Sequence, residues 1–471
     1  MKSIKMRGVI AAVSGALLFG AANVALADST DDLLKMLRDK GVLSEKEYDD
    51  FNATRDVEKV KKSTEIKASF KDGVVFESGD KSFQIQPHGR MQLDYRNFDH
   101  KDGVVNADTF DIRRAYIGVK GKFFDSYDFD ITYDAGVSGT AALDVAWFGI
   151  NWWDQARFRF GQFKMPMSIE EQTSSRFIDF QERSFVNGQA PAKERGAMVF
   201  GKPFNGLYYA LALSNGAGKN GNESTTTAVK GPADSPDVIG RVYANFAEMM
   251  NDKTKVLHVG AAFSAGEMKG DASGPSQSTE ARGIKFFDTA AFAGTDSIDR
   301  NRVQLESSVA FGPVKLQGEW IKTNYEGKKG TTSIDKDIKA WYAEALWLIT
   351  GENYADSYKE GAYGRIKPKN DFIAPGAPGW GALEVGVRRS SFDASDFKFG
   401  TTACVTGTGC LASANVTNEA DAWDLGLKWM PNGNTRFMLN YIKTDFETPV
   451  TVNSIKVNEE RAITARAQFD F

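Results

Sequence analysis

From about residue 82 to the end of the chain, apolar and polar positions alternate with a period of two. In Arg90 to Arg96, Met91, Leu93 and Tyr95 share one face; Arg90, Gln92, Asp94 and Arg96 share the other. Ala115, Ile117 and Val119 oppose Arg114, Tyr116, Lys120 and Lys122. Tyr127, Phe129, Ile131 and Tyr133 oppose Asp128, Asp130, Thr132 and Asp134. The pattern returns with Val303, Leu305 and Val309 against Arg302, Gln304 and Glu306, and with Trp423, Leu425, Leu427 and Trp429 against Asp424 and Lys428. Period two is the signature of β-strands. Here the polar face is charged and aromatics bracket the apolar one, as in strands that face lipid on one side and a wet lumen on the other. An antiparallel sandwich with one solvated face would bury the same stripe. Strand length of about ten residues, strands that run to Phe471, and turns of alternating length favour a transmembrane barrel. Short turns fall at Gly121 to Ser126, Asn151 to Gln155, Pro203 to Gly206, Gly312-Pro313 and Pro431 to Asn434, with long Gly/Ser/Thr/Asn-rich loops between them.

The predicted strands are 83–98, 109–121, 126–135, 142–151, 156–164, 195–203, 206–214, 236–246, 254–264, 300–311, 313–325, 337–349, 381–391, 420–430, 434–446 and 457–471. The expected fold is therefore all-β: a 16-stranded antiparallel transmembrane β-barrel over residues 65–471, with an aqueous lumen. The even count returns both ends of the barrel to the periplasm. Two stretches fit less simply. Thr350 to Trp380 is long yet falls on the periplasmic side, and Phe70 to Phe76 suggests an extra hairpin without a clear place.

Before the barrel, residues 1–27 have the form of a secretory signal peptide. Lys2, Lys5 and Arg7 precede a mostly apolar stretch from Val9 to Ala22, and Ala25-Leu26-Ala27 is a small-x-small site with cleavage expected before Asp28. Residues 28–64 follow as a polar periplasmic extension of helical character. Leu33, Leu34, Leu37, Val42, Leu43, Tyr48 and Phe51 give it a limited apolar face. Gly41 divides it into two short helices, and Ser44 with Glu47 reads as a capping box opening the second. So small a segment buries no core alone, so association with its own copies is an option.

Charge and composition narrow the function. The formal net charge is −4, and removal of Lys2, Lys5 and Arg7 takes it to −7, which argues against a nucleic-acid partner. Cys404 and Cys410 are the only cysteines and suit a small loop-closing disulfide in an exported protein. The three histidines, His88, His100 and His258, sit in no nucleophile elbow, HExxH, P-loop or GxGxxG context, so neither an enzyme nor a cofactor is expected. Asp128, Asp130 and Asp134 are explained as strand acids lining water, without a metal.

At this point the sequence resembles the phosphate-selective porin O and P family. The resemblance rests on Gly89-Arg90-Met91-Gln92-Leu93-Asp94-Tyr95, Phe110 to Gly118, Arg159-Phe160-Gly161-Gln162-Phe163, Thr173-Ser174-Ser175-Arg176, Glu182-Arg183-Ser184, and the helical Lys40 to Tyr48. It implies a sixteen-stranded outer-membrane porin of a Gram-negative bacterium, a homotrimer, a third outer loop folded into the lumen, and recognition of the terminal Phe471 by the barrel-assembly machinery.

The strand count itself makes 165–194 the third outer loop. In it and at its edges lie Lys164, Arg176, Arg183, Lys193 and Arg195, the candidates for a cationic constriction. A few fixed charges in a narrow low-dielectric pore select ions, and Arg matches a pair of phosphate oxygens. Arg157 and Arg159 alternate with Phe158 and Phe160 and extend a basic track below the loop, with Arg282 and Lys285 from the fifth outer loop. Glu170, Glu171, Asp179, Glu182 and Glu194 give the same stretch zero formal charge, so pairing that stiffens the wall is the competing reading. The family's arginine cluster in the fifth outer loop is thinned here to Arg282 and Lys285, with Arg300 and Arg302 following. The expected function is passive diffusion of small anions, phosphate or polyphosphate among them. The alternatives are a general diffusion porin and a structural or adhesive barrel.

Overall fold

The computed structural model describes residues 35–70, 73–99, 103, 105–136, 142–221, 236–269, 273–294, 297–376, 378–400 and 404–471. The expected signal peptide, residues 1–27, lies outside these. The chain forms two units, Met1–Glu65 and Ile66–Phe471.

In the first unit a helical turn ends at Gly41, whose φ of 69° places it in the left-handed region that favours glycine. The Gly41 and Val42 amides donate to the carbonyls of Arg38 and Leu37 at 2.8 and 2.9 Å and close the turn. Helix α1, Glu45–Thr64, then begins with the predicted capping box. The Ser44 amide donates to Glu47 Oε2 at 2.9 Å, and the Glu47 amide returns a bond to Ser44 Oγ at 3.3 Å. At 20 residues α1 is longer than the short helix expected from sequence.

The second unit contains an 18-stranded sheet. Two of its strands, Ile66–Phe70 and Val74–Ser78, form the unplaced hairpin; it adds to the start of the barrel by pairing Phe76 with Ile85 and Glu77 with Gln84. The other sixteen form the barrel. They are β1 Phe83–Phe98, β2 Thr109–Phe123, β3 Tyr127–Asp134, β4 Ala142–Trp153, β5 Ala156–Lys164, β6 Lys193–Phe204, β7 Leu207–Ser214 and β8 Asp237–Asn245, then β9 Lys255–Lys269, β10 Ser297–Phe311, β11 Val314–Lys329, β12 Thr332–Leu348, β13 Ala382–Asp393, β14 Glu419–Asn432, β15 Thr435–Val452 and β16 Ile455–Asp470. Each pairs antiparallel with the next, and β16 closes on β1 with Arg466 opposite Asp94. The Phe471 and Gly89 backbones bond reciprocally at 3.1 and 3.2 Å, so the last residue completes the seam. Closure leaves no sheet edge in hydrocarbon, where an unpaired backbone group costs several kcal/mol.

Exposure along the strands is inverted relative to a soluble protein. Ile117 is 70% exposed and Leu305 53%, while Asp94, Gln92 and Gln304 are 0% exposed. The apolar stripe therefore faces outward and the charged stripe inward, which a sandwich cannot do. Phe123, Phe124, Tyr127, Trp152 and Trp153 cluster at the termini-bearing end, with Phe123 stacked on Tyr127 at 5.1 Å, as one arc of an aromatic girdle.

The lumen is more filled than sixteen strands alone predict. From the outer end, the fifth loop enters with a small hairpin, Ser276–Ser278 and Lys285–Asp288. Its Phe286, Phe287 and Phe292 are fully buried against inward residues of β11 to β13, including Ile321, Ile338 and Phe392. The Cys404–Cys410 disulfide closes a neighbouring loop, which meets the fifth loop through a Thr289–Leu411 bridge. From the opposite end, the puzzling stretch between β12 and β13 folds upward. It carries a short turn, Tyr354–Ser357, and a tiny hairpin pairing Tyr358 with Tyr363. These loops have apolar faces of their own, and the lumen is where such faces leave water.

Candidate functional site

The third outer loop, between β5 and β6, crosses the lumen. Met165, Met167, Ile169 and Phe185 are fully buried in it, and its two short helices are Ile169–Gln172 and Phe185–Gln189. Acids fasten it to the wall. Glu182 pairs with Arg113 at 2.8 Å and Arg466 at 3.0 Å, Asp179 with Lys315 at 2.6 Å, and Glu170 with Arg388 at 3.2 Å. Burial alone would push the Glu182 carboxyl up; Arg113, Arg466 and Arg114 outweigh that and hold it well below the usual carboxylate range.

The candidate bases divide by partner. Lys164 donates to the carbonyls of Glu171, Gln172 and Thr173, the last at 3.0 Å. Arg183 donates to the carbonyls of Glu170 and Thr173 at 3.0 and 2.9 Å and lies 3.3 Å from Glu171 Oε2. Both satisfy carbonyls at the end of a short helix, so they brace the loop. Lys193 contacts both Asp144 oxygens at 2.6 Å, and Lys219 adds a third contact at 3.1 Å. Arg195 faces Gln162 across the β5–β6 ladder and is engaged within the fold. Arg176 differs: its guanidinium meets His88 Nδ1 at 2.9 Å.

Beside Arg176 lie two bases from the polar, inward faces of β1 and β2. Arg90 stacks over the Tyr116 ring at 4.2 Å and donates to Ser175 Oγ at 3.0 Å. Arg114 donates to Gln92 Oε1 at 3.0 Å. Arg90 is close enough to both Arg114 and Arg176 to be repelled by them. None of the three has a carboxylate within 4.0 Å among the described residues. Three guanidinium groups therefore converge at the third loop, bonded to Ser175, Gln92 and His88. The signal was present in the sequence as inward positions of β1 and β2; their freedom from acids was not.

Open space lies between this cluster and the termini-bearing end. A cavity of about 530 Å³ is lined by Arg157, Lys202, Glu248, Lys255 and Glu360. It shares Arg157, Tyr208 and Glu360 with a second of about 170 Å³ reaching Gln172 of the third loop. A third, of about 260 Å³, runs along Lys120, Lys122, Asp128, Asp130 and Trp147. Arg157 is paired with Glu360 at 3.0 Å, and Arg159 lies over Trp147 at 4.0 Å. The two loop bases stand apart from this track. Arg282 is 4.0 Å from Glu182, and Lys285 is exposed and bonded to Asp288 at 2.7 Å. Among the described residues no cluster of His, Cys, Asp and Glu is arranged to hold a metal ion.

Residues 85–471 match the model of a family described as "Phosphate-selective porin O and P". Porin O of Pseudomonas aeruginosa is 24% identical over 433 residues, 85% of this chain and 91% of that protein. Among solved structures, the anion-selective porin from Comamonas acidovorans superposes with a TM-score of 0.52 at 11% identity, covering 83% of this chain and all of that one. The outer membrane channel DcaP of Acinetobacter baumannii gives 0.52 at 12% identity, covering 85% and 100%. At such identities these two show the fold.

Proposed function

The chain belongs to the phosphate-selective porin O and P family, and from that premise we propose how this outer-membrane porin passes small anions. The ions diffuse passively and are drawn through the lumen by Arg90, Arg114 and Arg176 beside the third loop. The observation that carries the reading is that, among the described residues, these three guanidinium groups have no carboxylate within 4.0 Å, whereas Lys193, Arg157 and Arg183 each have one at hand. In a narrow passage with low-dielectric walls, unneutralised charge raises the local concentration of the opposite ion. Three separate donors, none of them enclosing the ion alone, bind weakly enough for the ion to leave. Phosphate suits them because each guanidinium offers a planar fork to two oxygens.

In this reading Lys164, Arg183 and Lys193 hold the constriction in shape, and Arg176 is the member of the loop that presents charge. Residues 1–27 act as the export signal, 28–64 as a periplasmic extension, and Phe471 as the contact for barrel assembly; the barrel works as a homotrimer. A weakly selective diffusion pore is the second reading. What favours it is the matching of bases by acids elsewhere on the wall, including Lys428 with Glu384 at 2.5 Å and Arg300 with Asp237 at 2.9 Å.

Reversal potential in a planar bilayer under a KCl gradient separates the two, repeated with phosphate present. Anion preference, with chloride current blocked by phosphate, is expected. Changing Arg90, Arg114 and Arg176 together to Gln is expected to lower the anion-to-cation permeability ratio by about tenfold. No preference and no block would establish the general diffusion pore.

A further inference from the structure

Below the third loop, the cavity of about 170 Å³ is lined by both apolar and charged side chains. Met198, Phe200, Tyr208 and Tyr243 supply the apolar part. Tyr208 and Tyr243 are stacked with ring centres 4.9 Å apart and planes 8° apart. Arg157, Arg159, Arg241 and Glu360 line the cavity as well, Arg157 lying over the Phe200 ring at 4.7 Å. Arg157 is paired with Glu360, but Arg159 has no carboxylate within 4.0 Å among the described residues, and its buried Nε lacks a hydrogen-bond partner.

Arg159 lies flat. Its guanidinium carbon is 4.0 Å from the Trp147 ring centre and 5.1 Å from that of Phe200. The β4–β5 register explains why. Arg159 pairs with Gly149 and Trp147 with Gly161, so each long side chain stands opposite a residue with no side chain and the two meet along the diagonal. A Cβ at Gly149 would stand 2.1 Å from Asp128 Oδ1, and one at Gly161 2.2 Å from the Ala146 carbonyl. Stacking occupies the faces of a guanidinium and leaves its N–H edge to donate. Asp128, Asp130 and Glu360 are the acids whose charge Arg159 feels.

We infer that this cavity is a subsite for planar aryl carboxylates, the carboxylate accepting from the Arg159 edge and the ring lying against Phe200, Tyr208 and Tyr243. The inference rests on the reading of the lumen as an anion path. An inorganic anion gains nothing from the apolar lining; an aromatic one removes its ring from water there and keeps its charge beside a cation that has no carboxylate in direct contact among the described residues.

The test is block of chloride current through single channels by benzoate, acetate and cyclohexanecarboxylate, all singly charged. Benzoate is expected to half-block at a concentration about tenfold below acetate, and below cyclohexanecarboxylate, whose ring is not flat. R159Q is expected to raise the benzoate half-block about tenfold, and F200A to bring benzoate toward acetate. Equal block by benzoate and acetate, equal block by the flat and puckered rings, or an unchanged benzoate block in R159Q overturns the subsite. The wild-type comparisons decide even if neither variant inserts. The KCl reversal potential is recorded on the same channels. Anion preference without a benzoate advantage removes the subsite and leaves the anion pore standing; cation preference removes the anion pore itself.

Discussion

The Tyr363 amide donates to Thr173 Oγ1 at 3.2 Å, joining a segment that enters the lumen from the termini-bearing end to one that enters from the outer end. Neighbouring contacts extend the junction. Tyr358 meets His258 at 2.7 Å, Tyr363 meets Ser308 at 2.7 Å, and the Gly361 carbonyl accepts from Arg241 at 3.1 Å. Together with the apolar packing around Phe286 and Phe392, this fills the β10–β13 side. The open cavities lie along β1 to β9. The open space is thus off-centre, against the wall that carries Lys120, Arg157 and Arg159.

Replacing residues 354–363 with a short Gly-Ser turn is therefore expected to widen the passage. Single-channel conductance should rise by roughly twofold or more, with the barrel still closed, because the segment contributes no barrel strand. Unchanged conductance would mean that ions pass without meeting it.

Asp144 neutralises Lys193 and Lys219 and is also the carboxylate felt by Arg90. D144N removes that charge and leaves the amines in place. Anion preference should increase several-fold, read as a larger reversal potential in the same KCl gradient. If selectivity stays the same, these lysines lie off the ion path.

Glu182 supplies the pH dependence. Its carboxyl is held well below the usual range on folding, so the stabilisation it gives is complete above the unfolded value of ~4.3 and is lost as pH falls through the folded value. The third loop should stay quiet down to about pH 4 and become noisy in current recordings only below it. E182Q strands Arg113, while Arg466 keeps Asp94, and should cost ~3–5 kcal/mol, bringing that noise to neutral pH and lowering the temperature at which the folded barrel unfolds in detergent. A quiet E182Q channel of wild-type heat stability would show that the loop is held elsewhere.

Much of the fold was legible from residue order. Alternation is a local property: once Met91 faces lipid, Arg90 and Gln92 must face inward, whatever the rest of the chain does. The same rule placed Arg157 and Arg159 in the lumen and set all sixteen strands within a few residues. The strands of the outer half run further than predicted, β15 to Val452 and β11 to Lys329, because Gly/Thr-rich ends carry little alternation.

What residue order could not decide is which charges meet. Arg466 bonds Asp94 across the barrel seam, 372 positions away, and Arg388 meets Glu170, 218 positions away. Glu170, Asp179 and Glu182 of the third loop find strand bases, Glu171 pairs with Arg183 and Lys164, and Arg90 and Arg114 are left with no carboxylate within 4.0 Å among the described residues. Counting charges within residues 164–195 gives zero and hides this. The sequence by itself determined the closed barrel, its inside and its outside, because those follow from period two and the need to pair every backbone group in lipid. The filled half of the lumen and the convergence of three arginines belong to the tertiary structure alone, because they depend on where loops entering from both ends come to rest.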